Sequence, residues 1–122
     1  YRLSRKIAYV FYHKFHLQHA FNYFNRPNII DICSNRKVDI YNLPSVVIES
    51  QDRAETIIRF IDRYPGNWIT FMLHSILDDS DEKYGKDKWY WNCNEFEKVC
   101  KYLSNSKHIS VIPIAKVIFQ MS

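Results

Sequence analysis

Ala54, Ile57, Ile58, Ile61 and Tyr64 recur at three- and four-residue steps, and Glu55 and Arg59 stand four apart outside that stripe. This spacing predicts an amphipathic helix, with Ser50 as a possible N-cap and Pro65-Gly66 as its stop. Other stretches lack that period. Ile7 to Tyr12, Val46 to Ile48, Trp68 to Leu73 and Ile109 to Ile112 are short apolar runs rich in β-branched and aromatic residues. They predict strands, the one at Trp68 being covered on both faces. Asn92, with Glu95 three residues later, has the pattern of a capping box, and Phe96, Val99, Cys100 and Leu103 continue at helical spacing. Pro113 predicts the start of a last helix, Ile114 to Met121. His13 to Phe24 mixes aromatics and histidines and predicts a weak helix. Asn25 to Asn28 carries a turn signal, and Asp31 to Pro44 and Asp78 to Lys88 predict long loops.

Strand and helix therefore alternate along the chain, which argues for parallel βαβ units in one α/β domain over residues 1–122. Three or four parallel strands cannot close a barrel, which takes about eight. The alternatives are a small open sheet or part of a barrel. A start at Tyr1 without an initiator Met favours a piece of a longer protein. Half a barrel would leave strand edges unpaired at Ile7–Tyr12 and Ile109–Ile112.

Composition narrows this further. An apolar share of 47% with 16% aromatics is enough for one core and disfavours a disordered chain. Two glycines are too few for a glycine-rich phosphate loop. The 17 Lys and Arg against 13 Asp and Glu give a charge of +4, but they are scattered, so a solvated surface is expected and nucleic acid is not. Cys33, Cys93 and Cys100 form no CxxC pair and are expected as buried free thiols. No apolar stretch of about twenty residues is present, so no membrane span is expected.

Four groups of residues could carry chemistry. His74 follows the apolar run Trp68 to Leu73, and ligands of α/β folds gather at the C-terminal ends of strands. A histidine there can serve as a general acid near neutral pH, or be satisfied by backbone at the strand's end. His13, His16 and His19 are spaced by three, which turns the outer two apart on a helix and leaves a zinc site incomplete. Asp78 to Glu82 fails the EF-hand pattern because of Lys83 and Lys86, and a solvated loop is expected. Trp89, Tyr90 and Trp91 can either stack on sugar rings or fill the core.

The stretch from Gly66 to Asp79, a strand rising to His74 and a short acidic loop, resembles the last active-site motif of polysaccharide deacetylases. This is carbohydrate esterase family 4, which includes chitin and peptidoglycan deacetylases. Asn94 to Leu103 resembles the helix that follows that motif, and Ile109 to Val117 the final strand and helix. Tyr41 to Pro44 resembles the family's approach to the preceding strand. The resemblance covers about Ile29 to the C-terminus and is best over Trp68 to Val117.

It implies the C-terminal part of a distorted (β/α) barrel of the glycoside hydrolase and deacetylase type. It also implies a hydrolase that removes N-acetyl groups from an N-acetylated polysaccharide or oligosaccharide, secreted or at the cell surface. One divalent metal, usually zinc, would be held by an Asp and two His, a second Asp would activate water, and the late histidine would protonate the leaving amine. Only the last role falls on a residue of this sequence, His74. Trp89 and Trp91 are the expected substrate-binding residues. The paired-Asp and His-x-x-x-His motifs do not occur here, so the metal ligands and the upstream half of the domain would lie outside this chain. The chain alone is then expected to be inactive. Two other classes stay open: a degenerate barrel that binds glycans without hydrolysis, and a small α/β interaction domain.

Overall fold

The first surprise is at the N-terminus. In the computed structural model, which describes residues 2–121, the run expected as a strand at Ile7–Tyr12 lies inside a helix, α1, Arg2–Phe15. Its inward stripe is Ser4, Arg5, Ala8, Tyr9, Tyr12 and His13, positions that repeat as pairs every four residues. The aliphatic and phenyl side chains turn outward instead: Leu3, Ile7, Val10 and Phe11 are all exposed. Hydrophobicity alone therefore does not mark the buried face of this helix. The amphiphilic residues Tyr and His, with an apolar body and a polar tip, make the buried side.

His16 ends α1 in the left-handed region, φ 51°, with its N–H on the Tyr12 carbonyl at 2.6 Å. A second helix, α2 (Gln18–Asn25), then folds back on α1. Gln18 ties it to the next layer by donating to the Thr56 carbonyl at 3.1 Å. A single 3-10 turn, Arg26–Asn28 with Pro27 near its start, leads into strand β1, Ile29–Asp31. The stretch after β1 up to Ser45 contains no helix or strand.

β2 (Val46–Val47) is followed by α3 (Ala54–Arg63). The stretch expected as one strand at Trp68–Leu73 is divided into β3 (Asn67–Ile69) and β4 (Phe71–Met72). Each has its own partner. β3 runs antiparallel to β1 with Ile30 opposite Trp68, and β4 runs parallel to β2 with Val46 opposite Phe71. The segment β2–α3–β4 is thus a βαβ unit, extended by Val46 N–H on the Thr70 carbonyl and Ile48 N–H on that of Met72.

β5 (Ile76–Leu77) and β6 (Trp91–Asn92) also pair in parallel, joined by a loop of turns in place of a helix. Helix α4, Cys93–Asn105, begins directly from β6. The last helix, α5, spans Ile114–Met121. Ile109–Ile112, expected as a strand, is not one. It finds no ladder partner, and Ser110, Val111 and Ile112 are exposed. The open strand edges expected at both ends of the chain accordingly do not occur among the described residues.

One core joins these elements. Tyr12, Phe21, Val46, Ile48, Ala54, Ile57, Phe60, Trp91 and Val99 are buried in a single cluster. Helices α3 and α4 interlock through a shared cap. Asn92 accepts from the N–H of Asn94 at 2.9 Å and of Glu95 at 3.3 Å, as expected of an N-cap. Glu95 does not complete a capping box. Its carboxylate accepts the Ala54 N–H at 2.6 Å, capping α3, whose own N-cap residue, Arg53, has no side-chain cap. Ser50 is not at the cap position. The three cysteines are free, as expected, but Cys33 and Cys100 are exposed and Cys93 half-buried, so none is a core thiol. Among the described residues no helix is long and apolar enough to cross a membrane.

Candidate functional site

Parallel pairing of β2 and β4 sends the chain out at one common end of the two strands, at Glu49 after β2 and at His74 after β4. That end carries the two buried carboxyls, Glu49 and Asp52. Glu49 is only 6% exposed, and its carboxylate is the centre of a network. Oε2 accepts from the Tyr9 hydroxyl at 2.8 Å and from Gln51 Nε2 at 2.7 Å, while Oε1 meets Lys88 Nζ at 2.7 Å. His13 Nε2 stands 3.5 Å from Oε2. Burial alone would raise the pKa of this carboxyl, but the hydrogen bonds from Lys88, Gln51 and Tyr9 outweigh it and hold the pKa below the usual value.

Its neighbours respond in kind. The Lys88 ammonium is held above its ordinary pKa by its bonds to Glu49 and Tyr9. Burial, joined by the Glu49 charge, raises that of Tyr9. Burial lowers that of His13 despite the attraction of Glu49.

Asp52 lies three residues on. It is 2% exposed and accepts the Tyr12 hydroxyl at 2.7 Å and the Glu49 N–H at 2.7 Å. Burial pushes its pKa up to about 6, against the opposing pull of those two bonds. Glu49 and Asp52 are thus two carboxyls driven apart in acidity by environment, a pattern that can divide acid and base work. Here both oxygens of Asp52 are occupied and almost fully covered, which suits it to fasten the 49–52 turn.

A second aromatic layer joins this cluster to His74. The Ser50 N–H donates to the Lys88 carbonyl at 3.0 Å, and Ser75 Oγ to the Trp89 carbonyl at 3.0 Å, drawing the 78–90 loop over both strand ends. Trp89 then rests between two partners. Its ring centroid is 4.8 Å from that of His74, and Lys88 Nζ lies 4.4 Å from its centroid. His74 itself is exposed, and Trp89 is 44% exposed.

Of the expected site residues, His74 and Trp89 come together and Trp91 does not. Trp91 is 3% exposed, belongs to the core, and donates its indole N–H to the Asp52 carbonyl at 2.8 Å. Neither face of its ring is open to a sugar, which removes it from the substrate-binding set. Tyr9, His13, Glu49 and Lys88 were not expected as a group. The one signal for them was Glu49, a charge at the end of the apolar run Val46 to Ile48, where a parallel strand delivers ligand-facing residues.

The residues present do not fit the divalent metal that the resemblance implies. Among the described residues no three metal-ligating side chains converge. Glu49 is engaged by a lysine ammonium, His16 packs edge-on against Tyr12, and His19 lies on α2 beside Tyr23 and Arg63. In the loop after β5, Asp78 caps Ser80 and Asp81 caps Lys83, so these acids close their own turns. In comparisons with protein-family models, curated proteins and solved structures, none matches this chain.

Proposed function

We propose that the chain is the C-terminal part of a (β/α)-barrel N-deacetylase acting on amino-sugar polysaccharides, with His74 as general acid and Trp89 as a sugar-stacking ring. The observation that carries this reading is the placement of His74. It leaves the C-terminal end of β4, beside the parallel strand β2, exposed and backed by the half-exposed ring of Trp89. An exposed imidazole can reach a leaving amine and give it a proton as the C–N bond of the acetamide breaks. Trp89 offers an apolar plane to the sugar that carries that amine.

A metal and the carboxylate that activates water would be supplied by the rest of the domain, and this chain alone turns nothing over. The test uses the full protein and an N-acetylated chito-oligosaccharide, with released acetate measured. His74→Gln lowers kcat about a hundredfold with little change in KM, the loss expected of a general acid. Unchanged turnover in that variant, or no acetate from the full protein, overturns the assignment.

A second reading, glycan binding without hydrolysis, draws on Trp89 alone. In that case the oligosaccharide binds, Trp89→Ala weakens it, and no acetate is released.

A further inference from the structure

Helix α1 turns toward solvent the side chains that a helix ordinarily buries. Leu3, Ile7, Phe11 and Phe15 follow one another at four-residue steps, and with Val10 they are from 48% to 71% exposed. Phe11 and Phe15 bring their ring centroids to 5.7 Å, so the row ends in a broad aromatic edge. Beside it runs a second row, Arg2, Lys6 and Lys14, each cation one residue ahead of an apolar side chain and each exposed. Four-residue steps keep both rows on the outer side of the helix.

Charge gathers on the same part of the chain. Residues 1–30 hold Arg2, Arg5, Lys6, Lys14 and Arg26 and no acid, so the +4 excess of the protein lies on the α1–α2 hairpin. A pocket of about 600 Å3 adjoins it, with His19, Tyr23, Arg26 and Arg63 in its wall and no acidic side chain. Tyr23 donates to Ser4 Oγ at 3.2 Å, which sets the rim of this pocket against the first turn of α1. Among the described residues, none of Arg2, Lys6, Lys14, Arg26 and Arg63 pairs with a carboxylate.

We propose that the α1–α2 hairpin docks on an anionic lipid surface, with the row from Leu3 to Phe15 seated at the acyl boundary and Arg26 and Arg63 holding a headgroup phosphate. The pattern selects this occupant. A second copy of the chain would set these cations against their own kind. An acidic protein groove closes around a helix, whereas α1 has its inner side sunk against α2 and the core through Tyr12. Nucleic acid supplies phosphates but no apolar layer for Phe11 and Phe15. An anionic bilayer offers phosphates outside and hydrocarbon beneath, and it needs only one side of the helix. Guanidinium forks match the paired oxygens of a phosphate. The inference goes beyond the deacetylase reading and does not rest on it, because neither His74 nor Trp89 belongs to this surface.

The experiment sediments the full protein with vesicles of phosphatidylcholine alone, and with vesicles of equal parts phosphatidylcholine and phosphatidylglycerol, at low and high salt. Binding to the anionic vesicles is expected to exceed that to the neutral ones about tenfold or more, and to fall as salt rises. Phe11→Ser, which removes apolar contact, and Lys6→Glu, which reverses charge, each weaken it about tenfold. Both replace exposed side chains, and thermal unfolding checks that each variant is folded. Phe119→Ala, on the exposed helix α5, keeps the binding, which separates docking by α1 from general stickiness. His74→Gln also keeps it, which separates this result from the fate of the deacetylase assignment. Equal binding to both vesicle types or affinity untouched in either hairpin variant overturns the proposal. So does polyglutamate binding as tight as that of the anionic vesicles, which would point to an acidic partner, or self-association through Phe11 in place of vesicle binding.

Discussion

Replacing Phe60 with alanine lowers the unfolding free energy by about 3–5 kcal/mol, the range for emptying a well-packed phenyl site. Phe60 is fully buried on α3. It stands edge-on to Phe21 of α2, centroids 5.3 Å apart at 88°, and is 5.1 Å from Tyr64. Aromatic edge contacts add about 0.5–1.5 kcal/mol beyond area, and the alanine variant loses both. The site is walled by two helices that cannot close over the gap without moving α2 against α3. Urea denaturation checks this: the midpoint falls while the slope stays constant. Phe119→Ala is the comparison, since that side chain is 83% exposed and its loss changes stability by about 0.5 kcal/mol or less. Equal effects at the two positions would mean that the aromatic cluster is not the centre of stability.

Asp52→Asn gains stability relative to the unsubstituted protein as pH rises, by about 3 kcal/mol between about pH 3 and pH 7.5. Burial raises the Asp52 pKa from 3.8 to about 6. The folded state therefore binds the proton more tightly than the unfolded chain, and stability is gained as pH falls from 6 through 3.8 and lost as pH rises through the same window. Above pH 6 the buried carboxylate carries its full penalty. Asparagine never ionises, so it escapes that penalty. Its amide still accepts the Tyr12 hydroxyl but has no second acceptor for the Glu49 N–H, a fixed loss at every pH.

Glu49 and His13 titrate in the opposite sense. Both have lowered pKa values, so the stability they contribute is lost on acidification. The pairwise comparison removes most of these effects, leaving the part of the Glu49 charge that acts on Asp52 itself. Denaturant unfolding at a series of pH values reads it directly. A difference that stays flat across that range rules out a raised Asp52 pKa.

The βαβ unit was legible in the sequence because each part announced itself. The stripe on α3, the stop at Pro65-Gly66 and the apolar run Val46 to Ile48 agree with one another, and Asn92 marked the start of α4. Two segments misled for different reasons. Ile7–Tyr12 reads as a strand by composition, yet its helix turns Tyr9, Tyr12 and His13 inward, and the two tyrosine hydroxyls bond to Glu49 and Asp52, forty positions away in sequence. No local pattern encodes such a partner. Ile109–Ile112 has strand-forming residues, but a strand exists only with a neighbour, and among the described residues none pairs with it.

The site divides in the same manner. His74 and Trp89 were visible from position and residue type. The Glu49, Lys88, Tyr9 and His13 network was not, because it joins a helix, a strand end and a loop that only tertiary packing brings together.

Because α3 borrows its N-terminal acceptor from Glu95, the Ala54 amide hydrogen is a reporter on a helix to which it does not belong. Opening the first turn of α4 withdraws that carboxylate, and Lys98, bound to its other oxygen at 2.7 Å, moves with it. Exchange with solvent deuterium at Ala54 thus follows the fraying of α4, and the two helices protect or release their first turns as one cooperative unit.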